Sequence, residues 1–361
     1  MGRFLKRIVS SFWYKCQLLL LLKVFDVPLY SARILFDNTK NETAGNADWV
    51  VDHNYPYPLP SNPISPTDWD GAISSWGYYL YRMGHDILTL IPSYGITYGN
   101  PSNPFDLSNF DIFIMPEPQN PLSTSERDAI LNFIYNGGGF FMVADHNSSD
   151  RDQDGWDSPR VFNAAFENTL GIHFNVTGER PNNYTGVSTN IRIDNSNGIY
   201  EGPFGVVHSL GFWGGTCITL RPSVNSQVFG LVWVPGAQKD TDSVMFCYGY
   251  YGRGRFVGLG DSSPCDDGTG DPRDNLYNNW SQYSDSTLIL NATLWLIGED
   301  SNIREEKGEG GIVIMSLRAA RDSIYRGNVF YDVNGKVVRK ILPGFYFVVV
   351  NHKNIKKVLV R

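Results

Sequence analysis

Gly137-Gly138-Gly139-Phe140-Phe141-Met142-Val143-Ala144-Asp145-His146 is the stretch on which the fold turns. A run of three glycines ends the helix before it, because glycine takes the backbone angles that a helix stop needs. Five apolar residues follow without interruption, the pattern of a strand covered on both faces, as in the interior of a parallel sheet. The run stops at Asp145-His146, so polar chemistry begins where the strand ends. Upstream, Ser123 or Ser125 caps a helix carrying Ile130, Leu131 and Ile134.

The same alternation extends in both directions from this unit. Ile34 to Phe36 reads as a first strand, and Thr67 or Asp68 opens a helix through Tyr81, closed by Gly84. His85 to Leu90 is a second strand and Asp111 to Met115 a third. Pro159 to Leu170 is a helix closed by Gly171, and the segment 178–234 is β-rich. Val244 to Tyr251 and Arg255 to Leu259 are strands joined by Gly252-Arg253-Gly254, and Ser286 to Ile297 is an amphipathic helix. Strands alternating with helices predict an α/β fold: a mostly parallel sheet with helices on both faces.

Beyond Glu299 the pattern changes. A charged, glycine-rich linker over 299–311 leads to short strands at Val329 to Val333, Gly335 to Lys340, Phe345 to Val350 and Lys356 to Val360, joined through Asn334-Gly335 and Pro343-Gly344. The chain therefore divides into residues 1–31, an α/β domain over 32–298, the linker, and a small antiparallel β domain over 312–361. Residues 1–31 carry Arg3, Lys6, Arg7 and Lys15, the apolar run Cys16 to Leu22 and the small pair Ser31-Ala32, the layout of a secretory signal peptide. The apolar run is too short to span a bilayer, and export to the cell surface or medium is expected.

At 361 residues, 42% of them hydrophobic and 19% charged, the chain can bury a dense core. A net charge of −7 leaves no basic footprint for nucleic acid. Three cysteines remain past the signal, so Cys217 and Cys247 form a bridge or all three are buried thiols.

Ligands of open parallel sheets meet the carboxyl ends of the strands. Three polar loops leave strand ends here: 37–49, 145–158 and 260–271. In the second, Asp150-x-Asp152-x-Asp154-Gly155 is the start of a calcium loop, whose alternate carboxylates converge on a hard cation. Its twelfth position is Val161 rather than glutamate, so an EF-hand is excluded and Asp157 is expected to close a shorter loop around Ca2+ or Mg2+; the plainer alternative is a solvated loop whose carboxylates cap the next helix. Asp145, His146 and Asp261 are the candidates for acid–base work, since imidazole titrates near neutrality and a neighbouring carboxylate can orient it. Asn38, Glu42, Asn46, Asp48, Trp156, Ser262, Asp266 and Asp267 form the expected substrate rim. His208 is a weaker candidate for the same rim, and His53, His85, His173 and His352 show no constellation. No nucleotide cofactor is expected.

Residues 33–298 resemble the class I glutamine-amidotransferase-like superfamily, whose flavodoxin-like sheet includes the ThuA-like proteins. The carriers are the triple glycine with its strand ending in Asp145-His146, Asp145 to Ser158, and Gly260 to Asp271; the last two are similar to secreted bacterial proteins of this fold, a group that brings no activity with it. The superfamily's nucleophilic cysteine follows the strand equivalent to Phe140 to Ala144, and Asp145-His146 stands there instead. Amidotransferase chemistry is thereby excluded for want of a thiolate. The tail resembles a type IX secretion sorting domain through Tyr331 to Val338, Leu342 to Phe347 and Lys356 to Arg361, which implies the export machinery as a partner. Together these imply either a secreted metal-dependent hydrolase of a polar substrate such as a glycan, or a catalytically silent, calcium-stabilised module that binds glycan or protein.

Overall fold

Strand β1 (Arg33–Asp37) is buried from Ile34 onward and pairs in parallel on both sides, with β2 (Asp86–Leu90) and with β3 (Ile112–Pro116). The computed structural model describes residues 31–179, 181–270 and 278–297, and strand residues 306–308, 312–315, 329–331, 344–350 and 354–360. The signal peptide expected over 1–31 lies, but for Ser31, outside the described residues, as do most of the linker and the strand expected at 335–340.

The sheet continues from β3 to β4 (Gly139–Val143) and β13 (Gly254–Leu259), both again parallel, so β2-β1-β3-β4-β13 is one run of parallel strands. Beyond β13 the pairing turns antiparallel, through β12 (Val244–Tyr251) to β10 (Ile218–Leu220) and β5 (Ile172–Phe174), with β11 (Val228–Trp233) also on β12. Smaller pairs are β6 (Tyr184–Ser188) with β9 (Leu210–Gly215), and β7 (Glu201–Gly202) with β8 (Gly205–Val206). The mostly parallel α/β sheet expected from the alternation is the one observed, in the flavodoxin-like form that the resemblance implies.

Alternate residues of the parallel strands face opposite layers. Leu35, Phe113, Phe140 and Met142 join one core with helices α2 (Thr124–Tyr135) and α3 (Ser158–Leu170) through Ile130, Ile134, Phe162 and Phe166. On the other face, Phe36 and Phe141 meet Trp76 of α1 (Ser74–Arg82) at 5.4 and 4.9 Å between ring centres. That face is closed by α4 (Asp285–Leu296), in which nine of twelve residues are buried. The amphipathic helix expected there is instead covered nearly all round; Trp76 donates to Thr293 Oγ1 at 3.0 Å, so even its polar side faces protein. Gly139 permits this closeness, since a Cβ there would lie 2.5 Å from the Leu296 carbonyl. Ser123 caps α2 with Glu126 answering as a capping box, and Gly171 ends α3 in the left-handed conformation. Cys217, Cys247 and Cys265 are free and buried, which closes the disulfide alternative.

The chain divides into a unit over 31–302 and a second built on the strands of 303–361. In the latter the order is β14 (Glu306–Gly308), β15 (Ile312–Met315), β18 (Asn354–Val360), β17 (Gly344–Val350), β16 (Val329–Tyr331). Neighbours are antiparallel except β15 and β18. No described helix is long and apolar enough to cross a membrane.

Candidate functional site

Each of the four adjacent strands β1, β3, β4 and β13 delivers a carboxylate at its carboxyl end: Asp37, Glu117, Asp145 and Asp261. Their relative exposures are 0, 0, 4 and 0%. Ionised carboxylates at such depth need partners or protons, because burial strongly disfavours the charge. The structure supplies both.

Arg151, from the loop after β4, reaches back to Glu117 through Nε at 2.5 Å and Nη2 at 3.3 Å, and to Asp145 Oδ2 through Nη2 at 3.1 Å. Its Nη1 donates to Asn46 Oδ1 at 2.6 Å and its backbone N–H to Gln119 Oε1 at 2.7 Å, which joins three strand-end loops through one residue. Glu117 sits at φ +46°, left-handed backbone that is costly for a non-glycine residue, and its carboxyl also accepts from Ser149 Oγ at 2.9 Å. Burial raises the Glu117 pKa, with the Arg151 charge opposing and the Asp145 charge adding.

Asp145 faces His146, whose Nδ1 lies 3.1 Å from Oδ1 without the alignment of a full hydrogen bond. The Asp145 contact holds the imidazole above its ordinary pKa, with burial opposing. Burial would raise Asp145 too, yet His146 and Arg151 outweigh it and keep that carboxyl below its usual range. The His146 side chain is 32% exposed while that of Asp145 is 6% exposed, so the imidazole is the part of the pair that meets solvent. Gly214 of β9 is its neighbour, since a Cβ there would lie 3.7 Å from His146 Nδ1.

Asp261 stands behind this pair. Its Oδ2 accepts from Trp213 N–H at 2.6 Å and its Oδ1 from Ser263 N–H at 2.9 Å, and Gly215 packs on it so closely that a Cβ would lie 2.5 Å from Asp261 Cβ. Burial, then the Asp145 charge, push Asp261 up to about 7. Next comes Asp285, the first residue of α4, pushed up to about 9 by burial; its Oδ1 accepts from Gly211 N–H at 3.0 Å. Buried carboxyls with pKa values driven apart are the usual setting for acid–base division of labour.

Three of the four residues expected in the cation loop come together. Ligand atoms of Asp150, Asp152 and Asp154 all lie within 4.8 Å of one another. Asp152 is anchored by Asn41 and Asn120, each donating to Oδ2 at 2.7 Å. Asp157 stands apart: its Oδ1 accepts from Arg160 N–H at 3.0 Å as the cap of α3, while its Oδ2 takes Ser148 N–H at 2.9 Å and pairs with Arg160 Nη1. In the structure that carboxylate caps α3 and pairs with Arg160, outside the cluster of Asp150, Asp152 and Asp154.

The expected rim is more deeply placed than its composition suggests. Glu42 is fully buried against Asp37, burial raising Glu42 well above its usual range and Asp37 to about 6. Asp48 binds His53, Nε2 to Oδ1 at 2.8 Å. Asp267 accepts from Ser74 Oγ at 2.9 Å and Ser75 N–H at 2.5 Å, holding the start of α1. Asp266 accepts from Gly268 N–H at 2.8 Å, and Ser262 is buried in the turn before Cys265. Asn38 is nearly buried at the end of β1, Asn46 holds Arg151, and Trp156 is half-buried with its N–H on Asp154 Oδ1 at 2.8 Å. His208 is exposed and joins none of this.

Glu117, Arg151 and Asp285 were not among the sequence candidates. Glu117 lies between Pro116 and Pro118 and reads as a turn; its position directly after an apolar strand was the available signal. His53, expected to have no constellation, is clasped between Asp48 and Asp70, the latter at 3.0 Å from Nδ1.

No family model matches the chain, and no curated protein matches it. Solved structures with a similar course include the mmIFT52 N-terminal domain, at 12% identity over 74% of this chain and 98% of that one, with TM-score 0.46. A ThuA-like protein from Parabacteroides merdae ATCC 43184 aligns at 12% identity over 74% and 91%, TM-score 0.39. Another ThuA-like protein, from Bacteroides uniformis ATCC 8492, aligns at 14% over 76% and 94%, TM-score 0.36.

Proposed function

We propose that the protein is an exported hydrolase of a polar substrate such as a glycan, with His146 as its proton-transfer group. The observation that carries this reading is the placement of His146 as the solvent-reaching end of a buried acid network, beside the ionised Asp145. Held above its ordinary pKa, the imidazole supplies the leaving group's proton and recovers one from the water that is split. Asp145 favours its charged form, Glu117 and Arg151 fix Asp145, and Asp261 completes the network as a carboxyl that titrates near neutrality. Asp150, Asp152 and Asp154 suit Ca2+, or Mg2+ less well, since the ligands are flexible carboxylates. A cation bound there would add positive charge to the loop that carries Arg151. The N-terminal segment and the tail are assigned to export and surface attachment on their sequence pattern alone.

The test is turnover of chromogenic glycosides and esters by the full chain, with and without chelator. His146→Ala should lower kcat about 10²- to 10⁴-fold with the fold intact by circular dichroism. Absence of turnover on every substrate, or turnover indifferent to His146→Ala, rejects the hydrolase. One observation favours the silent binding module as second reading: both Asp261 oxygens already accept backbone N–H groups within a fully buried side chain. A calcium-dependent rise in melting temperature without any turnover would select it.

A further inference from the structure

A cavity of about 640 Å³ opens at the carboxyl ends of β1 and β2, and His146 is not among the residues that line it. Its lining comes from segments that follow β1, β2 and β3, and open α/β sheets take their ligands outside the carboxyl ends of their strands. Its volume falls within the range of about 300–1,000 Å³ typical of small-molecule sites.

The lining carries no charge. Asn38, Thr39, Asn41 and Thr43 come from the loop after β1, Ser93 from the loop after β2, and Asn120 from the segment after β3. These are amides and hydroxyls, which both donate and accept. Tyr55, 38% exposed, adds an aromatic wall. Two of the amides are held from behind, because Asn41 and Asn120 each donate an N–H to Asp152 Oδ2 at 2.7 Å.

Charged ligands are disfavoured. No lysine or arginine lines the cavity, and the ammonium of Lys40 is engaged by Glu126 at 2.6 Å, so an anion finds no cation in the wall. A cation finds no carboxylate in the wall. An extended peptide is held chiefly by backbone pairing along a strand edge, whereas this cavity crosses strand ends. What remains is a neutral ligand with many hydroxyls and a face that stacks on an aromatic ring.

We infer that this cavity is a binding subsite for uncharged sugar units, with Tyr55 as the stacking platform and the Asn, Thr and Ser side chains as hydroxyl partners. It names the substrate class of the proposed hydrolase and in that respect rests on that reading, but binding here requires no catalysis. Saturation-transfer NMR and calorimetry on the full chain test it with glucose, galactose, mannose, N-acetylglucosamine and their trimers, against glucuronate and trialanine. A neutral sugar should bind, glucuronate and trialanine at least about tenfold more weakly, and Tyr55→Ala should cost about tenfold, near 1.4 kcal/mol. Tyr55→Phe, which keeps the ring, should bind as the parent does and so separates loss of stacking from misfolding. His146→Ala should also bind as the parent does. No binding of any neutral sugar, equal binding of glucuronate or trialanine, or an unchanged Tyr55→Ala overturns the inference. Sugar binding without any turnover supports the cavity while rejecting the hydrolase.

Discussion

The strand-end carboxylates and the Asp150–Asp154 loop use the same side chain a few residues apart and put it under opposite conditions. Asp37, Glu117, Asp145 and Asp261 are out of water, so their charge is met by Arg151 and His146 or removed by a proton. Asp150, Asp152 and Asp154 keep solvent contact, so their mutual repulsion is screened. The difference is one of burial rather than composition. In the proposed function the first group carries proton transfer and the second is the place for a cation.

The sharpest break of the buried group is Arg151→Ala. It leaves Glu117 and Asp145 facing one another without the guanidinium, and removal of one partner from a buried ion pair costs about 3–5 kcal/mol. Urea unfolding should show that loss, and adding Glu117→Gln should restore part of it, because the partner left behind is then neutral. A change below about 1 kcal/mol would mean that the network is solvated and the contrast between the groups is false.

Next in size is the pH dependence. Asp261 and Asp285, at about 7 and about 9, lie above the unfolded value near 3.9, so between those limits the folded state holds protons that the unfolded state has released. Stability from these groups is complete below about pH 4 and is lost as pH rises, by up to about 1.4 kcal/mol per pH unit for each proton. Asp145, held low, works in the opposite sense. Asp285→Asn keeps an acceptor for Gly211 N–H and imitates the neutral acid, so it should raise stability at pH 8 and flatten the slope between pH 5 and 8. Unchanged slopes in parallel urea titrations would place the buried protons elsewhere.

For the exposed group the expected effect is smaller and depends on ligand. Calcium at a hundred times its dissociation constant should stabilise the chain by about 2.7 kcal/mol, read as a rise in melting temperature that Asp152→Asn abolishes. Asp157→Ala should lose about 0.5–2 kcal/mol of capping and retain the calcium response, because that carboxylate serves α3 and Arg160. Loss of the response in Asp157→Ala would return it to the metal loop.

What the sequence made legible follows the same division. Runs such as Phe140 to Ala144 announce buried strands by periodicity, and their order predicts which loops share an edge. Asp145 and Asp261 could be picked because they end such runs. Partnership across the chain has no local signature: Arg151 meets Glu117 34 positions away, and Asp285 joins Asp261 only because α4 packs on the sheet. Asp157 was grouped with the acidic loop by spacing, although the Ser-Pro that follows marks it equally as a helix cap.

His53 spans both conditions and gives the finest test. Its Nε2 lies 2.8 Å from Asp48, whose side chain is 2% exposed, and its Nδ1 lies 3.0 Å from Asp70, which is 64% exposed. Burial lowers the imidazole pKa, but Asp48 and then Asp70 more than offset it, so His53 is held above its ordinary value. A raised histidine stabilises fully below about pH 6.5 and loses that contribution as pH climbs through the folded value. With Asp70 in water and the imidazole one-third exposed, screening keeps the gain to about 0.2–1 kcal/mol. An NMR titration of the imidazole should therefore move down further in Asp48→Asn than in Asp70→Asn, because the same charge acts more strongly where water is excluded. Equal shifts would show that burial does not set the strength of these pairs, and the contrast between the strand-end carboxylates and the exposed loop would lose its physical basis.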